Sequence, residues 1–164
     1  MERYHIRRKD KEIRSRKKMV DFLASQETVT VALSRGNEPY LFTADYGFDK
    51  KTMSVFIHCA PKGKKVDFIK ENGAVWGQVM EDLGYVQGEC DHKYRTVQFR
   101  GQASLITDME EKRKALCVMI DQLEEDPMKG KKEFITGKQF KRVVIIRIKI
   151  EEMSGKESLP KGGG

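Results

Sequence analysis

Residues 28–59 read TVTVALSRGNEPYLFTADYGFDKKTMSVFIHC. In Thr28–Ser34 the apolar side chains Val29, Val31 and Leu33 fall on one face, the period of two that marks a half-buried strand. Arg35-Gly36-Asn37-Glu38 interrupts the alternation, and Gly and Asn both tolerate positive φ, so the chain turns there. Pro39–Tyr46 returns as a second strand, with Pro39 tolerable at its start. Gly47–Lys51 turns again, and Met53–Cys59 sets Met53, Val55 and Ile57 against Phe56 and His58. Three strands follow one another without a helix between them, which is an antiparallel arrangement. A doubly wound parallel sheet needs a helix between nearly every pair of strands, and the chain holds no GxGxxG.

The neighbouring segments extend this pattern. Before it, Met19, Val20, Phe22 and Leu23 predict a short amphipathic helix over 19–25. After it, Pro61-Lys62-Gly63 leads into KKVDFIKEN, a two-turn helix that Gly73 is placed to cap. Ala74–Met80 reads as a strand with Trp76 as a core residue, and Asp82–Lys93 as irregular chain. Tyr94–Ile106 is a long strand in which Gly101 suits a bulge. Asp108 caps a helix whose Leu116, Met119, Ile120 and Leu123 recur at i, i+3, i+4 and i+7. Asp126–Lys141 reads as a basic loop, and Val143–Glu152 (VVIIRIKIEE) as the last strand, apolar on both faces at first. The expected fold is therefore mainly β: a six-stranded antiparallel barrel with inserted helices. It divides into a basic arm (1–18), one barrel domain (19–153) and a frayed tail (154–164).

With 164 residues and 18.9 kDa, the chain is long enough to bury a core of its own. No apolar run approaches the roughly 18 residues of a membrane helix, and the opening MERYHIRRKDKEIRSRKK lacks a signal peptide's apolar stretch; the expectation is a cytoplasmic protein. Cys59, Cys90 and Cys117 are too few and too scattered for a disulfide framework. The net charge of +7 is nearly all in the arm, where residues 1–18 hold nine basic and three acidic side chains. A basic arm points either to an anionic surface such as nucleic acid or to a solvated segment that packs on a partner subunit, and the second is favoured. Cys90-Asp91-His92 offers two metal ligands but no second close pair, so no metal site is expected.

The segment that carries chemistry is Phe56–Lys65, FIHCAPKGKK. A strand ends and a helix begins, leaving unpaired N–H groups at the positive helix end. His58, Lys62, Lys64 and Lys65 surround them, and Gly63 permits close approach; a phosphate monoester needs such a set of donors. No Ser–His–Asp set or paired carboxylates stand out, and no catalytic residue is assigned.

His58, Ala60, Gly63 and Lys65 form an HxAxxGxK pattern that resembles the phosphate-end motif of the nitroimidazole-resistance flavoproteins. Those belong to the FMN-binding split-barrel superfamily, with pyridoxamine-phosphate oxidase. Arg7–Ile13, Thr43–Phe48 and Tyr94–Val97 with Gly101 resemble further family segments in the family's order, over roughly residues 7–107; Asp45 stands where the family has Asn. The resemblance implies FMN, with its phosphate or ribityl chain held by Lys65, Lys64 and His58 and with Lys62 in the same nest. The backbone of Thr43, Ala44, Asp45 and Tyr46 would face the isoalloxazine edge, and Arg95 and Thr96 would lie near the phosphate or flavin. It further implies a homodimer with shared cofactor sites. The implied activity is electron transfer from a nicotinamide donor, NAD(P)H, to a small acceptor, with nitro-group reduction as the example. The alternative is a non-enzymatic flavin- or haem-binding carrier or sensor on the same barrel.

Overall fold

A computed structural model describes residues 6–136 and 138–159. Seven strands form one antiparallel sheet: β1 (Thr28–Arg35), β2 (Glu38–Asp45), β3 (Gly47–Asp49), β4 (Ser54–Cys59), β5 (Ala74–Val86), β6 (Asp91–Ile106) and β7 (Val144–Ser158), in the order β2-β1-β5-β6-β7-β4-β3. The two outermost strands, β2 and β3, are joined in the chain by Tyr46 alone. The sheet therefore curls so that the Asp45 end of β2 lies beside the Gly47 start of β3, but no β2–β3 ladder closes it among the described residues. The six-strand expectation is corrected to seven by β3.

Alternation decides what lies inside. Val29, Val31 and Leu33 of β1, Val75 and Val79 of β5, Val97 and Phe99 of β6, and Ile146 and Ile148 of β7 are buried in one core. Phe99 lies over Gly77, where a Cβ would come within 2.1 Å of the ring. The expected bulge occurs at Gly101: the β6–β7 register shifts between Arg100 and Gly101, and a Cβ at Gly101 would meet the Lys149 carbonyl oxygen at 2.3 Å.

The described residues also hold five α-helices: α1 (Arg16–Ser25), α2 (Lys64–Glu71), α3 (Met109–Leu123), α4 (Pro127–Thr136) and α5 (Lys138–Arg142). α1 starts on a Ser15 cap and buries Met19, Phe22 and Leu23. α3 starts on Asp108, whose side chain accepts from the Glu111 N–H at 2.8 Å. It covers the outer face of β4 and β7 through Ala115, Met119, Phe56 and Ile145, a second apolar cluster. The double-sided apolar run at Val143–Ile148 is thus accounted for within one chain: Ile146 and Ile148 face the barrel core and Ile145 faces α3.

Several local expectations change. Trp76 is half exposed on the outer sheet face and is not a core residue. Asp82–Lys93 is the far end of a β5–β6 hairpin, and 127–142 holds α4 and α5 rather than a loop. Gly73 does not cap α2 in the left-handed region; its carbonyl accepts from the Ala103 N–H at 2.7 Å, an approach a Cβ would block. β7 continues to Ser158 into the segment read as a frayed tail, and residues 160–164 lie outside the described part. Of the basic arm, residues 1–5 also lie outside it; its inner end joins the fold, with Ile13 buried and its N–H donating to Gly155. No described helix is long and apolar enough to cross a membrane.

Candidate functional site

The turn between β4 and α2 is built as the sequence requires. Gly63, the residue preceding α2, sits at φ +136°, where a side chain would be strained. Open space lies where its Cβ would project. Its carbonyl accepts from the N–H groups of Val66 and Asp67, which closes the first turn. The N–H groups of Gly63, Lys64 and Lys65 precede that ladder and have no intrahelical acceptor. Lys62 is exposed beside them.

The two lysines that follow are held differently. Lys64 Nζ binds the Glu38 carboxylate at 2.8 Å and lies 5.0 Å from the Tyr40 ring centre. Lys64 and, after it, Arg35 hold the Glu38 carboxyl below its usual range through their hydrogen bonds to it. Lys65 Nζ sits 4.5 Å above the Phe42 ring of β2. It is also near enough to Cys59 to oppose the rise that burial imposes on that thiol. α2 therefore turns its first two cations towards β2, the open edge of the sheet.

That edge carries free backbone groups. The Tyr46 N–H donates to the Glu27 carbonyl at 3.0 Å, and the register continues through Ala44↔Val29 and Phe42↔Val31. Bonded residues alternate in an antiparallel ladder, so Leu41, Thr43 and Asp45 turn their N–H and C=O groups away from β1. Tyr46 itself is fully buried, with its hydroxyl donating to the Leu23 carbonyl; burial raises its pKa strongly. Its side chain is structural, and so is that of Ala44, which packs on the barrel core.

The remaining expected site residues are distributed over three faces. Thr43 and Asp45 point outward from the sheet, and Thr43 Oγ1 pairs with Thr30 Oγ1 at 2.9 Å. Thr96 shares this outer face: Met80 is its partner on β5, and its hydroxyl donates to the Val79 carbonyl. The same face exposes Leu41 (64%), Trp76 (50%) and Met80 (46%). Leu41 and Trp76 flank Ala32 in one cross-strand row, over a shallow hollow of about 480 Å³. Arg95 points the other way. Its partners are Glu157 at 3.3 Å, Glu81 at 3.7 Å and the Phe22 ring of α1, none of them on the β4–α2 turn. His58 alternates with the inward-facing Ile57 and Cys59, so it emerges on the α3 side of β4. One chain thus brings Lys64, Lys65 and the β2 edge together, and places His58, Arg95 and Thr96 elsewhere. The contribution of Glu38 to the turn was not anticipated; its position three residues after Arg35, at the start of a strand, carries no motif.

The donor set fits a phosphate monoester: helix-end N–H groups, two cations and open space above Gly63. Comparisons with known proteins agree with this fold. The model of the pyridoxamine 5'-phosphate oxidase family matches residues 15–157. No curated protein matches the sequence. Among solved structures, a Bacteroides thetaiotaomicron protein named for 5-nitroimidazole antibiotic resistance superposes with a TM-score of 0.72 at 21% identity, covering 88% of this chain and 85% of that one. An FAD- and haem-binding protein from Mycobacterium smegmatis gives 0.75 at 19%, covering 93% and 77%. A flavocytochrome from Azotobacter vinelandii gives 0.77 at 15%, covering 96% and 73%. At such identities these likenesses establish the fold.

Proposed function

The chain belongs to the pyridoxamine 5'-phosphate oxidase family, and from that membership we propose that it binds FMN at the β4–α2 turn as an FMN-dependent oxidoreductase. It would take electrons from NAD(P)H and reduce a small acceptor, with a nitro group or a free flavin as the representative acceptors. The observation that carries this reading is the Gly63–Lys65 turn, whose cations face the unpaired backbone of β2.

The residues have separable roles. The N–H groups of Gly63–Lys65, with the ammonium of Lys65, take the phosphate, whose dehydration is costly unless donors replace its water. Lys64 contributes once it exchanges Glu38 for the phosphate. The outward N–H and C=O groups of Thr43 and Asp45 hydrogen-bond the polar edge of the isoalloxazine. When bound, FMN supplies the hydride and electron chemistry. Solved relatives described as FAD- and haem-binding and as a flavocytochrome support a redox role on this barrel.

The proposal includes a homodimer. The outer sheet face gathers Thr43, Asp45 and Thr96 around exposed Leu41, Trp76 and Met80, and an apolar patch of this kind suits a second copy. A shared site would bring one chain's β4–α2 turn against the outer face of its partner. An absorption spectrum of the purified protein, followed by FMN titration and NAD(P)H oxidation with added acceptors, tests the reading. Saturable FMN binding with acceptor-dependent turnover is expected. A haem Soret band with no flavin uptake overturns it, and bound flavin that NAD(P)H does not reduce points to a carrier.

A further inference from the structure

The α3 side of β4 holds a cavity of about 320 Å³ that the flavin reading does not use. One wall is the apolar stripe of α3: Leu116, Met119, Ile120 and Leu123. Phe134 of α4 and Phe140 of α5 face it, and Val143 closes one side. Among the described residues, His58, the exposed position of β4, is the sheet's contributor. Its imidazole makes no hydrogen bond among the described residues, although it has a donor and an acceptor to satisfy. His58 and Glu124 are the polar residues of the lining.

These walls are fixed. Phe140 is buried and held from behind by Lys112 Nζ, 5.2 Å from its ring centre, and by the Arg113 guanidinium at 5.3 Å. Gly130 lets α4 approach α3, since a Cβ there would lie 3.0 Å from Ile120 Cγ2 and 3.2 Å from Glu124 Cγ. A preformed, mainly apolar cavity with a few polar groups is the usual form of a small-molecule site, and this volume stands near the lower end of the roughly 300–1,000 Å³ range.

The geometry points to a binding site for an uncharged, one-ring aromatic molecule that carries a single hydrogen-bonding group, its ring between α3 and the two phenylalanines and its polar atom on His58. Size sets the single ring. Phe134, Phe140 and the Met119 thioether favour an aromatic one. Charge of either sign is disfavoured because the apolar walls would strip its water without replacing it, and the exposed Glu124 carboxylate of the lining adds repulsion of anions. The inference does not depend on FMN: His58 opens towards α3, whereas Lys65 lies beside Phe42 and the inward-facing Cys59.

The test follows the Met119 methyl signal by NMR in protein carrying 13C-methyl methionine, prepared without flavin and assigned with Met119→Leu. The probes are acetophenone, benzene and benzoate. Acetophenone is expected to shift the Met119 signal saturably and reversibly. Benzene should bind more weakly by about three- to tenfold, the effect of one neutral hydrogen bond. His58→Ala should bring acetophenone down to the level of benzene, and benzoate should bind worst. Leu123→Trp, which fills the cavity from a partly exposed position, should abolish the shift while the melting temperature stays close to wild type; Val143→Phe fills it from the opposite side if Leu123→Trp does not fold. No saturable shift in folded wild type overturns the inference, as does a shift that survives both filling variants. Tighter binding of benzoate than of acetophenone, or uptake of haem that displaces acetophenone, overturns the ligand class. FMN titration of the same samples reads the flavin proposal separately, so either can fail alone.

Discussion

Lys64 and Lys65 are neighbours of equal charge, yet their surroundings give them different weights. Lys64 already has a carboxylate at 2.8 Å, whereas Lys65 faces the Phe42 ring. A phosphate arriving at the turn must displace Glu38 to gain Lys64, but gains Lys65 without breaking an ion pair. Lys65→Ala is therefore expected to weaken FMN binding by about 1.5–3 kcal/mol, the scale of one charge-assisted hydrogen bond, with a smaller effect for Lys64→Ala. Riboflavin, which lacks the phosphate, should bind both variants and wild type alike; calorimetric titration of the two ligands checks this. Tyr46 belongs to the same stretch of chain but serves the fold. Its hydroxyl donates to the Leu23 carbonyl, whose other partner among the described residues is Gln122 Nε2 at 3.4 Å, so Tyr46→Phe should cost about 1 kcal/mol in urea unfolding. Burial raises the Tyr46 pKa in the folded state. The stability this contributes is complete below the ordinary tyrosine value of about 10 and is lost as pH rises beyond it. Wild type should lose stability in that alkaline limb, and Tyr46→Phe should lose less.

Helices and strands were legible in the sequence wherever one face is apolar. The alternation in 28–34 became β1, and Leu116, Met119, Ile120 and Leu123 became the inner stripe of α3. The outer end of β5 was not legible, because Asp82–Tyr85 is exposed on both faces and only pairing with β6 makes it a strand. α4 was hidden by Gly130 and its three lysines, Lys129, Lys131 and Lys132, and its existence rests on packing against α3. Trp76 was misplaced because alternation defines two faces without saying which is inside; Val75 and Val79 took the core, so Trp76 went outward. Of the candidate site, the β4–α2 turn was legible from spacing alone. The division of His58 from Lys65 was not, since it depends on the cover that α3 gives to one face of β4. A further dependence lies at Gly47, where a Cβ would sit 2.6 Å from the Met119 backbone. Gly47→Ala must push α3 off β3, and a loss of about 1–3 kcal/mol in thermal or urea unfolding is expected.

At the scale of the whole molecule, the question is whether one chain makes a complete site. The cations of α2 and the open edge of β2 meet within it, but Arg95 is committed to Glu81, Glu157 and Phe22, and Thr96 lies on the outer sheet face beside Met80. That face exposes Leu41 and Trp76 in one row with Ala32 between them. Side chains of this size gain free energy when covered, at about 25 cal/mol for each Å² removed from water. A second copy placing its own β2 edge there would cover the row and enclose a ligand between two chains. Sedimentation equilibrium at micromolar concentration should therefore give a dimer of the 18.9 kDa chain. Trp76→Glu introduces a charge into the centre of the proposed contact. Because Trp76 is half exposed in the single chain, the variant should keep the fold and its melting transition while sedimenting as a monomer. It should also lose FMN affinity, although Lys64, Lys65 and Gly63 are untouched, because half of the enclosure has gone. A wild-type protein that sediments as a monomer rejects the shared site. A monomeric Trp76→Glu that binds FMN as tightly as wild type confines the cofactor to one chain and leaves the apolar row without a part in holding it.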